Sequence, residues 1–213
     1  MRPIGWLLGL VALVLAGQAG LRALSLPGAE LERSPALDAL WADTGSPTLG
    51  PKDAPVQVLV FTDYQCAACK ADHGHVETEA YAGNARFVFK EWAILGPASA
   101  LAARAALAAR YQGRYVQMRD ALMRGPGPPN LLNILAAARR AGVNPIKLQS
   151  DLISQKHDID REMARVGRQA FALGLRGTPA YLIGRRLVVG SISARQLTRL
   201  IAHAPEEASK PIP

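Results

Sequence analysis

Cysteine is nearly absent: the 213 residues contain only Cys66 and Cys69. A structural disulfide closing so short a gap constrains almost no unfolded-chain entropy and would stabilise little. The chain also lacks any basic tract interleaved with aromatics, although its formal charge is +8 and its pI is near 9.9. Its positive residues are scattered among carboxylates, and Arg139-Arg140 and Arg185-Arg186 are the only adjacent basic pairs. That pattern argues against a nucleic-acid partner and reads as a solvated surface with mild attraction to anionic membranes or acidic partners. Internal repeats are missing too. Apolar material is not: 49% hydrophobic content is enough for the core of one domain of ordinary size.

What is present centres on Val56 to Lys70. A short apolar run with three valines, Val56, Val58 and Val60, leads straight into Cys66-Ala67-Ala68-Cys69 and then into a sequence of helical content. A thiol pair at such a handover puts both sulfurs on the first turn of the helix. There, unpaired N–H groups and the macrodipole favour a thiolate, which is the recipe for a dithiol–disulfide switch. Cys66 is expected to be the nucleophile, with Cys69 one turn in and buried. Lys70 offers Cys66 modest help, and Asp72 pulls the other way. A metal site is the rival reading, because Cys66, Cys69, His73 and His75 lie within ten residues and Cys69 shares a helical face with His73. His75 points elsewhere, and the spacing fits no closed four-ligand pattern, so histidines on the surface of an amphipathic helix account for it as well.

Taken in order, the chain opens with Arg2 and an apolar run from Ile4 to Ala16, followed by small residues at Gly17 and Ala19. Residues 1–19 read as a signal peptide cleaved after Ala19. The alternative is an uncleaved anchor, since no charge falls between Arg2 and Arg22 and such a span approaches the ~20 residues that cross a bilayer. Either reading sends the rest to an oxidising compartment, where a cysteine pair can persist as a disulfide. Residues 20–50 form an extension in which Ser34-Pro35 caps a short helix with Leu37, Leu40 and Trp41 on its apolar face. That helix is too short for a coiled-coil stalk and is expected to pack on the main domain. Strand signals recur at Ala85–Lys90, a helical pattern fills 97–174, and a hairpin at Ala180–Ile183 and Leu187–Val189 precedes a last helix ending near His203. The residues from 204 to 213 read as a disordered tail.

Three motifs together resemble the DsbA-like thiol–disulfide oxidoreductases. They are Phe61-Thr62-Asp63-Tyr64-Gln65-Cys66-Ala67-Ala68-Cys69-Lys70, then Phe89-Lys90-Glu91-Trp92-Ala93-Ile94-Leu95-Gly96-Pro97 running on to Ala105, then Gly177-Thr178-Pro179-Ala180. The resemblance implies an α/β chain with a thioredoxin fold and a helical domain inserted between the second and third strands. Residues 51–96 and 175–203 would then form the two parts of the thioredoxin-like domain. It further implies Cys66 as the exposed nucleophile, Cys69 as the buried resolving thiol, and Thr178 with a cis Pro179 as the substrate-binding loop. It calls for no cofactor and no metal.

The expected activity is the introduction of disulfides into reduced or unfolded exported proteins in the periplasm, by a monomer that a membrane-bound, quinone-linked partner re-oxidises. A disulfide isomerase or reductase is the first alternative; in this family that usually goes with dimerisation through a sizeable N-terminal domain, for which residues 20–50 are too few. Copper handling through Cys66, Cys69 and His73 is the alternative from another class. Two departures stand out. Ala67 and Ala68 replace the proline and the aromatic or histidine usual between the cysteines, which predicts a weaker oxidant, and Ala93 replaces a proline in a loop.

Overall fold

A computed structural model describes residues 26–204. The expected signal peptide and nearly all of the expected tail lie outside these residues. The apolar run forms a strand at Gln57–Thr62, and its side chains alternate between two buried layers. Val58 and Val60 enter one hydrophobic cluster, while Leu59 and Phe61 enter another. A strand covered on both faces reads as a continuous apolar run, which is why this segment shows no polar alternation. The Arg86–Glu91 and Ala180–Ile183 strands repeat the arrangement, with Phe87, Phe89, Tyr181 and Ile183 on the first face and Val88, Ala180 and Leu182 on the second.

In chain order the strands are β1 (Ala29–Glu30), β2 (Thr48–Leu49), β3 (Gln57–Thr62), β4 (Arg86–Glu91), β5 (Ala180–Ile183) and β6 (Arg186–Val189). The sheet order is β1-β6-β5-β3-β4-β2. Only β3 and β4 pair in parallel, and the crossover between them is the helix that begins with the cysteine motif. The two-residue strands β1 and β2, at the edges, were not expected from the sequence. They place the helical insertion between the fourth and fifth strands of the chain, the second and third of the longer ones.

The helices are α1 (Pro35–Trp41), α2 (Ala67–Tyr81), α3 (Pro97–Ala109), α4 (Tyr115–Met123), α5 (Leu131–Arg140), α6 (Pro145–Ser154), α7 (Lys156–Ala172) and α8 (Ala194–Ala202). Ser34 caps α1 and Asn144 caps α6, each with proline following. Gly113, in the left-handed region at φ 66°, separates the short 3-10 turn after α3 from α4. As expected, α1 packs on the main domain: Leu37, Leu40 and Trp41 join Leu59, Phe61 and Val88 on the second face of the sheet. Helix α7 links the two layers, with Ile159 in the first cluster and Val166 and Ala170 in the second. Leu101, on the first turns of α3, is 38% exposed.

Candidate active site

The parallel β3–β4 pair delivers the chain to the N-terminus of α2, and the local geometry there decides the chemistry. Cys66 is the N-cap residue itself, with extended backbone (φ −69°, ψ 113°), and its sulfur accepts the Cys69 N–H at 3.2 Å. A sulfur in the capping position takes one of the orphan amides that every helix N-terminus leaves free. On its other side the Cys66 thiol donates to the Thr178 carbonyl at 3.2 Å. The Thr178–Pro179 peptide bond is cis. Residues 112 positions apart in the chain thus meet at one sulfur.

Both cysteines are free thiols. Cys66 is 7% exposed and Cys69 3%, so the expectation of an openly exposed nucleophile is corrected. Its sulfur lies against the Thr178 carbonyl, and the residue is the more accessible of the two. Burial pushes the Cys69 thiol up to about 12, with the hydrogen bond to Cys66 acting in the same direction. Cys69 is therefore held as a protonated thiol, whereas the Cys66 sulfur receives a helix amide.

Lys70 does not serve the Cys66 sulfur as expected. Its ammonium donates to the carbonyls of Gly125 and Gly127, 3.2 and 3.4 Å away. Asp72 is buried and spent on structure: it accepts from Tyr181 Oη at 2.8 Å, from the Ile192 N–H at 2.8 Å, and from the Ser191 hydroxyl. It fastens α2 to β5, the strand that follows Pro179.

His73 is buried rather than on the surface, and its two ring nitrogens are committed away from the thiols. Arg119 Nη1, which can only donate, lies 2.7 Å from Nδ1, so Nε2 carries the proton and donates to Asp120 Oδ1 at 2.9 Å. Burial first, and Arg119 second, lower the His73 pKa to about 4. The nitrogen Nε2 and carboxylate oxygens of Glu77 and Asp120 lie within 4.8 Å of one another. Arg124 donates to both of those carboxylates. With Arg119 holding Nδ1 and Arg124 between the acids, the donor set suits an ion-pair network better than a metal. His73 is accordingly a poor third ligand for copper beside Cys66 and Cys69.

Sequence reasoning also missed two acids next to the site. Asp63, three residues before Cys66, is buried and accepts four hydrogen bonds. Glu91, opposite Thr62 in the β3–β4 register, accepts from Tyr64 Oη at 2.8 Å and from the Tyr115 hydroxyl.

A cysteine pair capping the crossover helix of this sheet, beside a cis-proline loop and with a helical block inserted, defines a DsbA-like thiol–disulfide oxidoreductase. The chain belongs to the thioredoxin family, whose profile, described as Thioredoxin, matches residues 42–203. A thioredoxin-like oxidoreductase from Silicibacter pomeroyi DSS-3 is 36% identical, covering 78% of this chain and 96% of its own, with a TM-score of 0.73. The catalytic domain of Proteus mirabilis ScsC is 26% identical over 81% of this chain and 94% of its own, with a TM-score of 0.70. The thiol-disulfide exchange protein alpha-DsbA2 from Wolbachia pipientis shares the fold at 23% identity, over 81% of this chain and all of its own, with a TM-score of 0.74. Among curated proteins, the Na(+)/H(+) antiporter NhaA 1 of Salinispora arenicola (strain CNS-205) is 26% identical over 158 residues, 73% of this chain. The chain spans only 24% of the length of that relative.

Proposed function

We propose that this oxidoreductase works as an exported oxidase that introduces disulfides into reduced or unfolded proteins through the Cys66–Cys69 pair. The observation that carries the reading is the asymmetry of the two sulfurs: one is bonded to a helix N-terminal amide, and the other is buried and held protonated. A substrate thiolate attacks Cys66 Sγ of the oxidised pair and breaks the S–S bond. Cys69 departs and takes up a proton, in keeping with its raised pKa. A second substrate thiolate then attacks the substrate sulfur of the mixed disulfide and releases Cys66. The substrate loses two electrons as its disulfide forms, and the enzyme is left as a dithiol.

A membrane-bound, quinone-linked partner takes those electrons in turn. Thr178 and Pro179 line the path of the incoming chain, and the Thr178 backbone offers pairing independent of substrate sequence. Residues 29–49 fold onto the main domain as β1, α1 and β2. We place the protein in the periplasm, as a monomer. Among the described residues no helix is long and apolar enough to cross a membrane.

The test is trapping. Cys69→Ala should accumulate mixed disulfides with reduced substrate proteins through Cys66, and Cys66→Ala should not. Equal trapping by both variants removes the assignment of nucleophile and resolving thiol.

A further inference from the structure

Helix α1 and the end of α7 lie on the second face of the sheet, in the hydrophobic cluster that does not contain the cysteines. Between them is a cavity of about 450 Å³. Leu37 and Leu40 of α1, Leu31 before it, and Ala172 and Leu173 at the end of α7 give it apolar walls. Leu37 and Leu40 are buried, while Leu31 and Leu173 are only partly covered. An apolar cavity of this size with a few polar groups on its border is the kind that holds a small molecule.

The polar groups differ in what already engages them. Arg165 and Gln169 both turn to Asp43: Arg165 Nε lies 3.0 Å from Oδ2, and Gln169 Nε2 donates to the same oxygen at 2.7 Å. Arg168 is exposed and, among the described residues, has neither a hydrogen bond nor an ion pair. It also borders a second cavity, of about 550 Å³, where Arg110 and Arg161 are paired with Glu162 and Asp158. Arg161, Arg165 and Arg168 follow one another at four and three positions, so they share a face of α7. The remaining charged group on the apolar cavity is Glu32, on the other wall and also unpaired. On a chain of formal charge +8, three guanidiniums along one helix make the potential of that wall positive, and the unengaged Arg168 presents a planar fork of donors to a carboxylate or phosphate.

A peptide fits the cavity poorly. One turn of helix about 10 Å across fills roughly 420 Å³, so barely a turn could enter. The walls are mainly helix, whose backbone groups bond within themselves, so an extended peptide finds no strand edge to pair with. We infer that the cavity between α1 and α7 binds a single-chain anionic amphiphile from solution, with its acyl chain among the leucines and its head group at Arg168. The inference goes beyond thiol exchange and does not depend on it.

Isothermal titration of the purified full-length protein with monomeric decanoate is the test, with octanoate, decanol and decyltrimethylammonium for comparison. Decanoate should bind at one site. Octanoate, shorter by two methylenes, should bind about 10-fold more weakly, and decanol, which lacks the charge, about 5-fold more weakly. Arg168→Gln should bring decanoate down to the level of decanol and leave decanol unchanged. Ala39→Trp, at an exposed position of α1 that lines the cavity, should abolish binding of both. Both variants should keep the wild-type rate of thiol exchange. If Ala39→Trp fails to fold, the Arg168→Gln comparison decides alone. Absence of decanoate binding, binding that ignores both substitutions, or tighter binding of the cation overturns the inference. So does sedimentation with phosphatidylglycerol vesicles that is lost in Arg168→Gln while decanoate itself does not bind, which would make this face a bilayer contact.

Discussion

Replacing Glu91 by glutamine should change how stability depends on pH more than it changes stability itself. Glu91 is buried, one carboxylate oxygen accepts from both Tyr64 and Tyr115, and the other has no partner. Burial raises its pKa from 4.5 to about 7, against the hydrogen bonds from the two tyrosines and the charge of Arg119. The folded state therefore holds a proton that the unfolded chain releases at lower pH. Stability is greatest below the unfolded value and falls as pH rises towards the folded one, by ~3 kcal/mol between about pH 4 and pH 8. His73 acts in the opposite sense: its pKa falls from 6.5 to about 4, so its neutral form stabilises the fold as pH rises through that window. The two effects nearly cancel in wild type over the shared range, and only their difference from a variant exposes either. Urea denaturation of wild type and Glu91→Gln across pH is the assay. The stability difference, Glu91→Gln minus wild type, should grow by roughly 3 kcal/mol from acid to neutral pH. A difference that stays constant would show that Glu91 does not titrate in this range, and would refute the reasoning.

Ala68→His should make the pair more oxidising in glutathione buffers, because neither Ala67 nor Ala68 supplies a donor or a cation to Cys66 and Lys70 is held by Gly125 and Gly127. Asp43→Ala should destabilise by ~3–5 kcal/mol in chemical denaturation, since it strands the fully buried Lys90, whose Nζ lies 2.7 Å from Asp43 Oδ2. Adding Lys90→Met to that variant should recover much of the loss.

Much of the fold was legible because its signals are local. The valine-rich run and the cap at Ser34 each act within a few residues. The edge strands were not, because two residues carry no periodicity; Thr48 and Ala29 are strands only because Val88 and Leu187 stand opposite. At the site, the cysteines and the cis-proline loop were named from motif and resemblance. The role of Asp63 was hidden by distance in the chain, since it meets Ser99 36 positions on, and so was the bond that Asp72, named only as a nearby charge, makes with Ile192 after 120. Asp72 left one trace, its place one turn beyond Cys69 on the buried side of α2. Lys70 and His73 were misjudged because composition near a thiol does not say where a long or planar side chain finds its partner.

The proposed function requires the Cys66–Cys69 pair to be an oxidant. Equilibrating the purified protein with glutathione buffers at fixed pH, and counting oxidised and reduced protein, measures its potential directly. The expected value lies between the roughly −270 mV of thioredoxin and the about −120 mV of DsbA, with each ~30 mV worth ~1.4 kcal/mol for this two-electron couple. A potential as reducing as that of thioredoxin would contradict it and hand the site to a reductase or isomerase.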